Sequence, residues 1–134
     1  LLEKQDTPLI AASSLHADKV ALYYIDQGAE LNHAGCHGGT ALHWAAWCGR
    51  PAVVKKLISK QAVLNKKCID FNATPLFWAV HGLKQGDKKN IDGHLECIYA
   101  LVKAGADTTI PNADGHTAYD LLDEGDEKIK ELLI

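Results

Sequence analysis

Apolar residues recur along the chain at the spacing of one face of an α-helix. Three stretches place them at or near positions i, i+1, i+4 and i+5, which predicts amphipathic helices. They are formed by Val20, Tyr24 and Ile25, by Val53, Val54, Leu57 and Ile58, and by Cys97, Ile98, Leu101 and Val102. Gly28 and Gly105 follow the first and third stretches and predict left-handed C-caps, whereas Gln61 stands in that place after the second. A left-handed Gln61 is expected to be slightly strained.

A second kind of helix is predicted ahead of each amphipathic one. Thr7-Pro8-Leu9 and Thr74-Pro75-Leu76 each place a good N-cap residue directly before a proline, which suits the first turn of a helix. These predicted helices contain small residues, such as Ala45-Ala46 after Thr40, which allow neighbouring helices to approach closely. The pattern predicts pairs of helices that bury their apolar faces by stacking on the next pair.

The helix pairs are copies of one another. Their opening threonines are Thr7, Thr40, Thr74 and Thr117, separated by 33, 34 and 43 residues. A period near 33 with the motif Thr-Pro-Leu-x-x-Ala resembles the ankyrin-repeat family over nearly the whole chain. The resemblance implies an all-α ankyrin-repeat solenoid of about four helix-turn-helix repeats with short β-turn hairpins between them.

The repeats are expected to form a single domain over residues 1–134, a usual domain length. Their predicted bounds are 3–35, 36–68, 69–111 and 112–134, the last an acidic C-terminal cap. The long third repeat contains an insertion of about ten residues, 83–92, between its two helices. Its polar composition predicts an exposed excursion. It is either a tolerated loop lengthening or a contributor to partner selectivity, and its deletion is expected to leave the melting temperature nearly unchanged.

Composition narrows the possible functions. The 134 residues include 14 Lys and Arg against 17 Asp and Glu, a net charge of −3, which disfavours a nucleic-acid binder. No apolar stretch approaches the length of a membrane span, so no membrane interaction is expected. Four dispersed cysteines favour free thiols in a reducing compartment, so an intracellular location is expected, cytoplasmic or nuclear, with a microbial protein delivered into a host cell as the alternative. The chain is expected to be a monomer. The missing initiator Met suggests a piece of something longer.

Motifs of catalysis and of cofactor binding are not found. The glycine-rich run at 35–39 falls in a predicted hairpin, where glycine serves the turn. A zinc site of Cys36, His37 and Cys48 is disfavoured because zinc ligands are normally closer in sequence. The chain is therefore expected to have no enzymatic activity, cofactor, metal or small-molecule substrate of its own.

The resemblance implies that a protein or peptide partner binds at the hairpin tips and on the exposed side of the first helix of each pair. Carried over to this sequence, the predicted partner-binding residues are Cys36, His37, Trp47, Asp70, Phe71, His81, Asp114 and His116. Trp47 and Phe71 are the candidate anchors, since exposed aromatic residues are enriched in binding hot spots. Trp44 and Trp78 are expected mainly to pack, and the resemblance gives His43 a structural hydrogen bond at the turn.

Three alternatives stay open. Six basic residues and no acid lie between Arg50 and Lys67, which is either a solvated face or a docking site for an acidic protein, an anionic membrane or nucleic acid. Asn32 and Asn65 stand where ankyrin asparagines make turn hydrogen bonds or are hydroxylated. The chain is also interpreted as a targeting or substrate-recruiting segment of a larger enzyme, channel or bacterial effector, with the activity outside it.

Overall fold

The computed structural model describes residues 6–86 and 88–134. Residues 3–5 of the predicted first repeat and residue 87 of the predicted insertion lie outside the described residues. The α-helices of the described part are α1 (Pro8–Ser14), α2 (Asp18–Asp26), α3 (Ala41–Trp47), α4 (Pro51–Ser59), α5 (Pro75–Gln85), α6 (Ile91–Lys103) and α7 (Glu127–Leu133). Short 3-10 helices cover Cys36–Gly38, Lys88–Asn90 and Tyr119–Leu121.

The helices form two layers. In the inner layer α1 packs on α3 and α3 on α5, while in the outer layer α2 packs on α4 and α4 on α6. One continuous apolar core runs between the layers and includes the fully buried Leu42, Val53, Leu57, Leu76 and Ile98. The predicted all-α solenoid of stacked helix pairs is confirmed.

The inner helices begin as the sequence predicts. The hydroxyl groups of Thr7, Thr40 and Thr74 each accept a hydrogen bond from the backbone N–H three residues later. At the other end of the repeats, Gly28 and Gly105 adopt φ of 82° and 98°. The predicted threonine caps and left-handed C-caps are therefore present.

Gln61 takes the same left-handed conformation as the glycines at the ends of the other outer helices. Its φ is 63°, a region in which a residue with a Cβ is strained. The strain that the sequence predicts for the second repeat is thus found at this position.

Hairpins connect the repeats and join one another. Gly35 N–H donates to Gly39 O at 2.9 Å, and Cys68 N–H donates to Ala73 O at 2.8 Å. Asn112 N–H closes the third hairpin by donating to His116 O at 2.8 Å. Adjacent hairpins are linked by Asp70 N–H to His37 O at 3.2 Å and by Ala113 N–H to Phe71 O at 3.0 Å. The hairpin tips therefore hold fixed positions relative to one another.

The fourth repeat differs from the other three. After Thr117 there is a 3-10 turn, Tyr119–Leu121, instead of a full inner helix. Asp120 Oδ2 accepts hydrogen bonds from both the backbone N–H and the hydroxyl of Thr117, at 2.8 and 3.2 Å. The same contact opens α3, where His43 bonds the backbone N–H of Thr40, so it is a capping box that starts a helix. The 3-10 helix ends because Leu122 is extended, with φ of −89° and ψ of 150°.

The insertion is largely exposed, as its composition predicts, but it is helical and makes contacts with other repeats. Helix α5 has 11 residues where α3 has 7, and α6 has 13 where α4 has 9, so most of the extra chain lengthens the two helices. Its side chains also reach neighbouring repeats. Asn90 Nδ2 donates to Cys48 O and Gly49 O at 3.0 and 3.1 Å. Polar residues of the segment serve these contacts, which composition alone does not reveal.

Candidate partner-binding groove

A groove of about 480 Å³ lies between the inner helices α3 and α5 and the hairpin tips. We call it the aromatic groove. It is lined by His37, Trp44, Trp47, Phe71, Ala73, Phe77, Trp78, His81, Asn112, Asp114, His116 and Leu121. These residues come from the second, third and fourth repeats, so the groove exists only because the repeats stack.

Trp78 is the centre of the aromatic side chains. Trp44 and Trp47 meet it nearly edge-on, with ring centroids 5.0 and 6.1 Å away and interplanar angles of 85° and 74°. Phe71 approaches it from the hairpin at 6.3 Å and 64°. Rings in such edge-to-face contact attract one another beyond their buried area. The four rings therefore form a preassembled cluster.

Trp78 is also fixed by a hydrogen bond. Its indole N–H donates to the Sγ of buried Cys68 at 3.3 Å, and the side chain is only 5% exposed. Gly39 lies against the cluster, and a Cβ there would approach Trp78 and the Nε1 of Trp44 to about 3 Å. Trp78 is thus the floor of the groove, as its predicted packing role implies.

Trp47 forms the wall at the far end of α3. It is half-buried, and its ring lies 5.0 Å from that of His81 on α5. Partial burial lowers the pKa of His81 below its usual value, because the charged imidazolium loses solvation. Trp47 therefore presents an apolar indole face to the groove beside an imidazole that favours its neutral form.

Further hydrogen bonds hold the backbone behind Trp47. His94 is buried on α6, with Nε2 2.9 Å from Trp47 O and Nδ1 2.9 Å from Asn90 O. Gly82 of α5 packs so closely on this point that a Cβ there would collide with Trp47 O. The start of α6 and the insertion thus position the carbonyl end of α3, and with it Trp47.

The hairpin tips supply the polar rim. His37 Nδ1 lies 2.7 Å from Asp70 Oδ2, and the His37 ring is 5.7 Å from Phe71. Phe71 is 51% exposed although it belongs to the aromatic cluster. In the third hairpin, Asn112 Oδ1 accepts from the backbone N–H of Asp114 and of His116 at 3.0 and 2.9 Å. The rim therefore combines imidazole and carboxylate groups on a rigid backbone.

His43 lies behind the aromatic cluster and is fully buried. Its Nδ1 accepts from Thr40 N–H at 3.0 Å, and its Nε2–H donates to Ala73 O at 2.9 Å. Burial lowers the pKa of His43 to about 4, since the charged form would lose its hydration. The histidine ties the start of α3 to the next hairpin, the structural role that the resemblance implies.

Most of the predicted partner-binding residues meet at the aromatic groove. Those that line it are His37, Trp47, Phe71, His81, Asp114 and His116. Asp70 joins through its contact with His37. Cys36 does not line the groove, and its backbone N–H donates to Asp6 Oδ1 at 2.7 Å. Phe77, Asn112 and Leu121 also line the groove, which their sequence positions do not predict. Phe77 occupies an apolar packing position, and the other two lie in a repeat with a weak signature.

Three basic residues of the run between Arg50 and Lys67 are paired with acids of adjacent repeats. Arg50 Nε donates to Asp18 Oδ1 at 2.8 Å, which raises the pKa of the guanidinium. Lys56 Nζ lies 2.8 Å from Asp26 Oδ1. Lys55 Nζ lies 3.2 Å from Glu96 Oε2. The stacking of α2, α4 and α6 therefore offsets much of the positive charge that the sequence places on one helix.

Asn32 and Asn65 make equivalent hydrogen bonds between repeats. Asn32 Oδ1 accepts from Val63 N–H, and Asn65 Oδ1 from Asp107 N–H, both at 2.9 Å. The two side chains therefore hold the loops of successive repeats in register. This agrees with the turn hydrogen-bonding interpretation of these asparagines.

Within residues 6–86 and 88–134, no three His, Cys, Asp or Glu side chains lie close enough to share a metal ion. In the same residues, no helix has the length and apolar content needed to cross a membrane.

The architecture and the repeat motifs define a class of protein, and comparison with known families agrees. The model of ankyrin repeats in three copies matches residues 1–68. The chain belongs to the ankyrin-repeat family.

Several curated proteins that are similar to this chain are palmitoyltransferases. Putative palmitoyltransferase ZDHHC13 of Danio rerio is 31% identical over 108 residues, which are 81% of this chain and 15% of that protein. Palmitoyltransferase ZDHHC13 of Mus musculus is 32% identical over 72% of this chain, and palmitoyltransferase ZDHHC17 of Homo sapiens is 33% identical over 68% of it. These matches cover 14% and 13% of the relatives. The chain thus spans about a seventh of the length of the curated relatives it matches.

Proposed function

We propose that this chain is a protein-interaction module whose aromatic groove binds an extended segment of a partner protein. The observation that carries the proposal is the cluster of Trp44, Trp47, Phe71 and Trp78, which is packed in advance yet open to a ligand on one side. Ankyrin repeats in general mediate protein–protein binding, and solenoids present such surfaces to partners.

Rigidity gives the groove its affinity. The hairpins are linked by backbone hydrogen bonds, and Trp47 is held from behind by His94 and Gly82. A surface that is already ordered loses little conformational entropy on binding, so a few aromatic contacts can supply most of the binding energy. Removing one such anchor costs about 2 kcal/mol or more, a loss of about 30-fold in affinity.

The test is a selection of random peptides displayed on phage against the intact chain. Selected peptides are then titrated against Trp47→Ala and Phe71→Ala variants, with Tyr99→Ala as the control, because Tyr99 is 49% exposed on the outer helix α6. We expect about 30-fold weaker binding to the two groove variants and unchanged binding to the control. Equal binding to all three variants would place the partner site elsewhere.

The relatives favour a specific context for this module. Since they are named palmitoyltransferases, we propose that the groove recruits proteins to an acyltransferase activity located elsewhere in a longer protein. The supporting observation is that the similarity falls on the ankyrin repeats, which hold a binding groove and no recognised catalytic motif.

This context is tested in cells that express the full-length protein, either unchanged or with Trp47→Ala and Phe71→Ala together. Palmitoylation of proteins captured through the groove is measured by acyl-biotin exchange. The proposal expects their acylation to fall in the double variant while self-acylation of the enzyme is retained. Unchanged acylation of the captured proteins would refute recruitment through the groove.

A further inference from the structure

The charged groups around the aromatic groove are of one sign. Asp114 lines it and Asp70 adjoins it, whereas no lysine or arginine of the described residues is among its lining side chains. Arg50, Lys55 and Lys56 lie on the outer helix α4, where they pair with carboxylates of neighbouring repeats. A ligand that enters the groove therefore meets carboxylates and imidazoles without a fixed positive charge.

Besides the carboxylates, the aromatic rings of the groove also favour a cationic ligand. Trp78 and the three rings inclined to it, those of Trp44, Trp47 and Phe71, all line the groove. The face of an aromatic ring carries negative charge density, and tryptophan attracts cations most strongly. Burial also favours the neutral form of His81, which removes a competing positive charge from the same wall.

We propose that the principal ligand group of the aromatic groove is the guanidinium of an arginine in an extended peptide segment. The inference rests on the proposed function and names the chemistry that the same groove selects. A planar guanidinium can stack flat on an indole face and donate two N–H groups in its plane to a carboxylate, whereas an ammonium offers neither a planar face nor bidentate geometry. Asp114 supplies that carboxylate, since it lies exposed in the third hairpin and lines the groove.

The carboxylates around the groove also disfavour an acidic peptide. An acidic segment would place its carboxylates beside Asp70 and Asp114 with no lysine or arginine among the groove-lining residues to accept them. Like charges at close range reduce affinity and suppress the wrong partners. The groove therefore discriminates between basic and acidic peptides as well as providing apolar contact.

The peptides selected for groove-dependent binding provide the test. We expect an enriched arginine at one position, and replacement of that arginine by citrulline, which is similar in shape but uncharged, should weaken binding about tenfold. Asp114→Asn should weaken the arginine peptide several-fold and leave the citrulline peptide unchanged. Asp92→Asn, an exposed carboxylate on α6, is the matched control and should affect neither peptide.

The outcomes separate this inference from the proposed function. Groove-dependent peptides without a basic residue, or equal binding of the arginine and citrulline peptides, would overturn the inference and leave the groove as the partner site. Lysine peptides that bind as tightly would overturn the assignment to guanidinium. If no selected peptide depends on Trp47 and Phe71, the proposed function fails, and the inference fails with it.

Discussion

Stability of this chain should depend on pH through the buried imidazole of His43. In the folded chain burial holds the pKa of His43 at about 4, against an ordinary value of 6.5. Between these values the unfolded chain takes up a proton that the folded chain does not, so stability falls as pH is lowered. Each pH unit in this window costs about 1.4 kcal/mol, and the whole window costs about 3 kcal/mol.

The assay is urea denaturation from pH 7.5 to 4.5, comparing the unchanged chain with His43→Gln. Glutamine can still donate to Ala73 O but does not titrate, so the difference between the two free energies of unfolding isolates the His43 proton. Lowered carboxylate pKa values, such as that of Asp126, act below about pH 4, and His81 contributes equally to both chains. We expect the advantage of the unchanged chain to shrink by about 3 kcal/mol. A constant difference across this range would refute the reasoning.

Three further predictions concern the backbone and the insertion. Gly82→Ala should lower the melting temperature and weaken groove-dependent peptide binding, because the new Cβ collides with Trp47 O; thermal denaturation and titration of the same sample check both effects. Gln61→Gly should stabilise the chain by up to about 1 kcal/mol, since it relieves a left-handed residue with a Cβ, and Gly105→Ala should do the reverse, as measured by urea denaturation. Asn90→Ala should destabilise the chain by about 1–2 kcal/mol, because Cys48 O and Gly49 O lose their shared donor. Deletion of 83–92 removes the same donor and should therefore lower the melting temperature, in contrast to the expectation from the sequence.

Local patterns were sufficient to predict the fold. Threonine caps, glycines after the outer helices and a period near 33 are properties of short segments, and each repeat depends mainly on its neighbours. Even the strain at Gln61 follows from comparison with Gly28 and Gly105. The fourth repeat is less predictable, because its threonine cap is present but the chain becomes extended at Leu122 after a single 3-10 turn.

The groove is only partly predictable, since it is made of contacts between repeats. Trp44 and Trp78 have the spacing of packing residues, and the sequence does not show that their packed rings also line a cavity with Phe71. The basic run of α4 shows the same limitation. Its positive charge is offset by Asp18, Asp26 and Glu96, which lie on other helices and far away in sequence.

The insertion contacts the backbone directly after the helix that carries Trp47. The side chain of Asn90 in the insertion donates to Cys48 O, directly after α3. His94, in the first turn of α6, forms a hydrogen bond with Trp47 O. Lys84, from the other side of the insertion, bonds Asp126 of the fourth repeat at 2.7 Å, which raises the pKa of the lysine. The extra turns thus connect the second repeat, which supplies Trp47, to the fourth, which completes the rim. A loop of the same length without these contacts would close the chain but leave Cys48 O and Gly49 O without the Asn90 donor, so we expect the helical form of the insertion to help fix the end of α3 that carries Trp47.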